Sequence, residues 1–476
     1  MQHLVRAFFV TILVLGAVPA VNAGGLGMDG QGRFLIHGQP AFLRGVYDTA
    51  IGPSDDPSVW ERWLFQTGGD IRTTRALKNI PLNLYLNYHR GADTAPQINA
   101  LMDALGNHGM LWLQTTNCFS NTSYTSLPFS TEVTPNFISD IRNHPQLAGY
   151  YIMDECADSL IPETQQHHAA LINADPLALT FAVPIAAPDR DPAPWTKPAS
   201  GAPTASFFAT DPYVLYGSDK GAGYPHFLVA DEIARLRDRV AQSDPIMAVL
   251  QFFKFGGGGR LPTYDEMRVH AYSAIVEGAQ GLFWWELGEN GLRQSTMKTA
   301  DIARMMGYLE TLNKELAGLE PALLAPADPG LVTIAQADSN PVRWRLAAVQ
   351  RNMELVKRAS YAAVVWFDTE RIALNRGDIS LSPMLHDPNA PTTLKVGVQS
   401  HDVRYRASMV NGVGYLIAYN YSNVTQSVTF NWTGAASSIS RVGDTTAPPA
   451  LTAAGTGKRF SDTVGPYQVR IYVLNP

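Results

Sequence analysis

Asp154 and Glu155 stand side by side at the end of an apolar run, Leu147–Met153. Two adjacent carboxylates at a buried strand end repel each other. That repulsion pushes one of them toward its protonated form, the state a general acid needs. The chemistry such a pair suits is proton donation to a leaving oxygen, with the second group oriented nearby. A competing reading is a helix-capping Asp beside a salt-bridged Glu.

Other polar and aromatic groups follow apolar runs in the same way. Asp48 ends the run from Ala41, and Tyr88 and His89 end the run from Leu82. Gln114 and Asn117 follow the run from Met110, and Asp211 and Tyr213 follow Ser206–Ala209. Gln251 ends Ile246–Gln251, and Trp284, Trp285 and Glu286 end the run from Gly281. A ring of such groups around one opening would bind and cleave a polar substrate.

These positions imply elements that hold them together. With Ala178–Val183, the chain has eight strand-like apolar runs between residues 33 and 315. Amphipathic stretches separate them, among them Ile98–Leu105 and Phe227–Val240. Thr263 and Glu266 have capping-box spacing before a helix that Gly278 would end. Eight strand–helix units of this length predict an α/β chain folded as a (β/α)8 TIM barrel, whose catalytic groups sit at the C-terminal strand ends. A doubly wound open sheet is the alternative fold. After Leu316, Pro321, Pro326 and Pro329 read as a linker. Beyond it, short alternating runs such as Gly414–Asn420, Gln426–Trp432 and Gln468–Leu474, with Asn411-Gly412 and Gly465-Pro466 as turns, predict a C-terminal antiparallel β-sandwich. Tyr361–Trp366 reads as one further strand. The expected organisation is a signal peptide at 1–23, a catalytic barrel at 24–318 and a β-sandwich domain at 330–476.

The signal peptide rests on Arg6, a short apolar run from Ala7 to Ala17 and the small residue Ala23. The run is short for a membrane anchor, the other reading. Export makes the expected location secreted or periplasmic, without stable membrane insertion. The net charge of −6 and the lack of a basic run argue against a nucleic-acid partner. Hydrophobic residues at 46% suffice for a packed core, and 9 Trp and 19 Tyr supply ring faces of the kind that sugars pack against. In an exported protein Cys118 and Cys156 invite a disulfide, against the alternative of two buried thiols. They follow neighbouring strands, so the bond would join two loops on one barrel face. No Cys or His cluster has metal spacing, and His167-His168 read as solvated neighbours on a helix. Phe255–Arg260 reads as a flexible Gly-rich loop. No metal and no cofactor are expected.

Three segments carry a family resemblance. Phe34–Gly45, His144–Glu155 and Gly278–Trp285 resemble the opening hairpin, fourth strand and eighth strand of the large clan of (β/α)8 glycoside hydrolases that includes β-galactosidases, cellulases and mannanases. The resemblance implies Glu155 as acid/base and a Trp at the floor of the sugar subsite. It also implies a nucleophilic Glu at the end of strand seven, where this chain has Gln251. The second carboxylate is therefore expected elsewhere, Glu286 ahead of Asp211. The other reading of Glu286 is a structural partner of an Arg such as Arg44. Three functions are open: a glycoside hydrolase cleaving O-glycosidic bonds of a poly- or oligosaccharide; a substrate-assisted N-acetylhexosaminide hydrolase, similar to chitinase-like barrels, with Asp154 orienting the acetamido group and Tyr213 bonded to it; or a non-catalytic carbohydrate-binding barrel.

Overall fold

The structure is a computed structural model that describes residues 25–48, 56–88, 94–119, 134–184, 192–215, 226–254, 260–289, 291–336, 403–421, 425–444 and 446–476. The expected signal peptide, the Gly-rich stretch 255–259 and the expected strand Tyr361–Trp366 lie outside the described residues, as does His89.

Three short antiparallel strands open the chain: β1 (Leu26–Met28), β2 (Phe34–Ile36) and β3 (Gln39–Ala41). Eight parallel strands come next. They are β4 (Leu43–Asp48), β5 (Leu84–Asn87), β6 (Leu111–Phe119), β7 (Leu147–Asp154), β8 (Leu179–Val183), β9 (Phe207–Thr210), β10 (Ile246–Gln251) and β11 (Ala279–Trp285). They close in the order β10-β11-β4-β5-β6-β7-β8-β9, so the expected barrel is observed and the open sheet is not. One helix follows each strand: α1 (Pro57–Phe65), α2 (Ala95–Gly106), α3 (Pro135–Ile141), α4 (Ile161–Ala174), α5 (Ala193–Thr196), α6 (Phe227–Arg239), α7 (Tyr264–Val276) and α8 (Thr299–Leu324). The fifth is a single turn. The capping box forms at α7, where Thr263 Oγ1 accepts from the Glu266 amide and Glu266 accepts from the Thr263 amide.

The barrel strands are buried on both faces, as parallel strands covered by helices must be. One apolar cluster fills the barrel and includes Leu43, Leu86, Leu113, Phe181 and Phe283. Another lies between strands and helices and includes Val46, Trp112, Ile152 and Trp284. Leu26 and Phe34 join the inner cluster, and the Phe34 ring meets Phe207 edge-on at 5.0 Å. The N-terminal hairpin thus plugs the end of the barrel where the strands begin. Gly45 has no side chain because a Cβ there would lie 2.3 Å from the Phe283 ring.

Two expectations fail here. Pro321 does not end the barrel's last helix, since α8 continues through it to Leu324. The missing amide costs one intrahelical bond, and packing of Leu319, Ala322 and Leu323 into the core offsets it. His167 and His168 are not solvated. Both are buried, because α4 packs on the barrel strands: His167 Nε2 lies 2.9 Å from Thr116 Oγ1 on β6, and His168 Nδ1 lies 2.7 Å from Thr180 Oγ1 on β8.

The C-terminal strands are β12 (Val332–Gln336), β13 (Val403–Val410), β14 (Val413–Asn420), β15 (Gln426–Trp432), β16 (Ser438–Arg441), β17 (Thr452–Ala454), β18 (Gly457–Val464) and β19 (Val469–Asn475). They form two antiparallel four-stranded sheets, β12-β15-β18-β17 and β13-β14-β19-β16, around Val428, Phe430, Trp432, Phe460 and Leu474. Asn411 and Gly412 join β13 to β14, both with positive φ (49° and 83°), the conformation of a tight two-residue hairpin turn. The second sheet docks on the barrel's helices. Arg404 is buried there, 2.8 Å from Glu277 Oε1 and stacked 3.7 Å over the Tyr421 ring. Tyr421 donates to Asp231 on α6 at 2.6 Å. Among the described residues no helix is long and apolar enough to cross a membrane.

Candidate active site

Side chains alternate along a strand, so a barrel strand sends every second residue inward and the rest to the helices. On β11 this puts Trp284 in the outer cluster and Trp285 at the inner one. On β4, Tyr47 is inward, whereas Asp48 is wholly buried on the helix side. Asp48 accepts from Arg75 Nε at 2.5 Å and Nη2 at 2.9 Å, and from the Tyr85 hydroxyl at 2.8 Å. Burial opposes the charge on Arg75, yet Asp48 raises the guanidinium above its usual range. Gln114 also falls on the outward phase, where its Oε1 accepts from Trp112 Nε1 at 2.9 Å. Asp48, Gln114 and Trp284, expected to bind substrate, therefore serve the packing between strands and helices.

On β7 the alternation is broken. Tyr151 is inward, but Ile152 and Met153 both lie in the outer cluster. The register with β8 slips between Tyr151 and Met153, so that Tyr151 pairs with Phe181, Met153 with Ala182 and Asp154 with Val183. This is a β-bulge, and its extra residue re-aims the side chains beyond it. Asp154 is thereby brought into phase with inward Val183, at the C-terminal rim. Glu155 comes next with φ of +51°, a left-handed conformation that costs a non-glycine residue about 1 kcal/mol. Its amide donates to Val183 O at 2.9 Å, which fixes the turn. Both acidic residues are partly exposed.

Around this rim the aromatic groups gather. Tyr47, Tyr88 and Tyr151 form a triangle of rings with centroids 5.5, 5.8 and 6.2 Å apart. Trp285 lies 4.5 Å from the Phe253 ring and 5.8 Å from Tyr213. Burial, and next Asp154, pushes the Tyr47, Tyr88 and Tyr151 phenols well above their usual range. Tyr213 is raised by burial, then by Asp211, with a smaller contribution from Glu155. Asp211 also acts on Tyr47. Asp154, Glu155 and Asp211 thus share one set of phenols at the mouth. All these tyrosines are neutral hydrogen-bonding groups at neutral pH.

Glu286 takes a different place. It is fully buried, and its Oε2 accepts from the Gly288 amide at 3.3 Å, inside its own loop. A Cβ on Gly291 would lie 2.7 Å from Glu286 Cγ, so the loop folds directly over it. Arg44 does not pair with it. That guanidinium binds Glu320 at 3.0 Å and Pro81 O at 2.7 Å. Gln251 is buried as well. Its Oε1 accepts from the Leu215 amide at 2.8 Å and its Nε2 donates to Phe253 O at 3.3 Å. The Gln251 amide therefore ties the turn after Asp211 to the segment that follows β10.

For residues 117–119 only the backbone is described, so the side chains of Asn117 and Cys118 lie outside the described residues. Cys118 pairs in register with Met153, three residues before the buried Cys156. Tyr47, Tyr151 and Phe253 were not among the expected site residues. The signal that marks the two tyrosines is their inward phase, which a run of continuous hydrophobicity hides.

Comparison with known proteins gives the fold an independent footing. No protein-family model matches the chain, and no curated protein matches it. Solved structures do. A GH42 β-galactosidase from G. stearothermophilus aligns over 92% of this chain and 98% of its own, with TM-score 0.52 and 9% identity. A catalytic mutant of that enzyme gives TM-score 0.51 at 8% identity, over 92% and 98% of the two chains. A structure described as a glycoside hydrolase gives TM-score 0.50 at 11% identity, over 95% and 97%. The chain shares its fold with these glycoside hydrolase structures, at identities that speak for the fold alone.

Proposed function

We propose that the protein is an exported glycoside hydrolase in which Glu155 is the general acid/base. The observation that carries this reading is the convergence of Asp154, Glu155 and Asp211 with Trp285, Tyr88 and Tyr213 at the strand-end mouth of a closed barrel. Cleaving a glycoside takes an acid on the leaving oxygen and a second carboxylate at the anomeric centre, and the sugar ring needs an aromatic platform. Glu155 supplies the acid, Trp285 the platform and Asp211 the second carboxylate. Asp211 takes precedence over Glu286 because it follows inward Ala209 by two residues, while Glu286 is covered by its own loop.

The N-terminal pattern at 1–23 supports export, and a bond between Cys118 and Cys156 suits that location. The register of Cys118 beside Met153 supports the bond. It would fasten the turn carrying Glu155 to the neighbouring strand. Substrate-assisted attack by an N-acetyl group is a second reading, favoured by Gln251 where a nucleophile is expected and by Tyr213, a phenol on which both Asp211 and Glu155 act.

A screen of neutral, acidic and N-acetylated glycans with wild type and Glu155→Gln tests the assignment. Turnover of one class by wild type and its loss in the variant are expected. An equal rate in both removes Glu155 from the chemistry. Binding without turnover of any glycan makes the protein a carbohydrate-binding barrel.

A further inference from the structure

The triangle of Tyr47, Tyr88 and Tyr151 is unequal in its bonding. The Tyr88 hydroxyl accepts from Trp285 Nε1 at 3.1 Å and donates to Asp154. The hydroxyls of Tyr47 and Tyr151 act on each other, yet among the described residues neither reaches a partner at full hydrogen-bond distance and angle, so the pair has at most one weak bond between them. Their exposures are 1% and 0%. Phenol hydroxyls buried in a protein ordinarily find a partner, and leaving one unmade is costly. These two sit at the top of the inner cluster, within the electrostatic reach of Asp154, and Tyr47 within that of Asp211.

We propose that Tyr47 and Tyr151 form a slot beneath the mouth that receives one hydroxyl of the reacting sugar, and that this slot makes the enzyme selective for neutral glycosides over uronosides. The inference rests on the glycosidase reading and specifies the substrate class of that same site. A group entering the slot meets two phenol donors in the field of Asp154 and, at Tyr47, of Asp211. A sugar hydroxyl satisfies both kinds of partner, since it accepts from a phenol and donates to a carboxylate. A uronate offers lone pairs to the phenols but brings a negative charge toward the two acids. An ammonium group suits the acids but has no lone pair for the phenols. Among the described residues the charged groups acting on Tyr47 and Tyr151 are acidic.

The test uses Tyr47→Phe and Tyr151→Phe on the glycoside that wild type cleaves best, together with its monodeoxy analogues and the matching uronoside. A site built to bond a hydroxyl discriminates strongly against the analogue lacking it. One deoxy position is therefore expected to lower kcat/KM of wild type by about tenfold or more, and to cost either Phe variant little further. Each variant should lose about tenfold on the parent glycoside while Tm holds or rises, because no well-formed protein hydrogen bond is removed. The uronoside should be the poorest substrate of wild type. Variants that match wild type on the parent glycoside, or a uronoside cleaved as well as the neutral sugar, would overturn the slot and leave the glycosidase reading standing. Failure of wild type to cleave any glycan overturns that reading, and the slot with it.

Discussion

The Trp285 indole N–H donates to the Tyr88 hydroxyl at 3.1 Å, from β11 to the end of β5, past the strand that lies between them. Tyr88 passes the contact on to Asp154. The aromatic platform and the acidic rim are therefore held by one phenol, and rotating the indole would break a bond at the rim. Such support fixes geometry at a site where small displacements are costly in rate.

Glu155→Gln keeps the shape of the side chain and loses its proton. Removal of a general acid lowers turnover by about 10² to 10⁴. The expected outcome is a fall in kcat of that size, with unchanged circular dichroism and an unchanged melting temperature. A variant within a factor of two of wild type would refute the role.

Asp211→Asn and Glu286→Gln should separate two carboxylates that look equivalent on paper. For Asp211→Asn we expect a loss of kcat by at least about 10² with little change in stability. For Glu286→Gln we expect a fall in stability of about 1–2 kcal/mol, since the side chain is buried against its own loop and an amide fits that cavity less well. Paired kinetics and urea unfolding of both variants give the answer. The reverse pattern would restore Glu286 to the chemistry.

Asp48→Ala leaves Arg75 buried without its bidentate partner. Breaking a buried pair on one side costs about 3–5 kcal/mol. The variant should unfold at markedly lower denaturant concentration, while the fraction that remains folded keeps its kcat. A specific loss of kcat with unchanged stability would return Asp48 to the substrate side.

Acid should weaken the fold through histidine before it reaches the carboxylates. Burial holds the His270 imidazole well below its usual range, with His226 adding to the effect at 2.8 Å, and burial lowers His168 too. Below about pH 6.5 the unfolded chain takes up protons at these positions that the folded chain refuses. Stability therefore falls as the pH drops, by up to about 1.4 kcal/mol per pH unit for each such group. Urea titrations from pH 7.5 to pH 5 should show that slope, and His270→Gln should reduce it. A flat profile would contradict the neutral, buried state.

The strand count, the capping box at Thr263 and the turn at Asn411-Gly412 are legible because each depends on local chemistry. The sites are less so. Parallel strands are apolar on both faces, so their sequence shows where a strand lies and hides which residues point inward. That is why Asp48, Gln114 and Trp284 read as rim residues and stand against helices, and why Tyr47 and Tyr151 do not stand out. Glu286 misleads for a related reason. It follows an inward tryptophan, but the chain turns at that point and the loop back to Gly291 covers it.

The slip in register on β7 means that the direction of the acidic residues is set by strand pairing as much as by the lettering of the chain. Straighten the bulge at the same chain length, and strict alternation returns, with Ile152 outward, Met153 inward and Asp154 outward. The aspartate then points into the helix layer, in a barrel that still closes. A related chain could keep both acidic residues at the same interval, lack the bulge, and have no aspartate at its rim. In comparing such chains, the pairing register from the inward tyrosine to the aspartate is thus as informative as the presence of the pair itself.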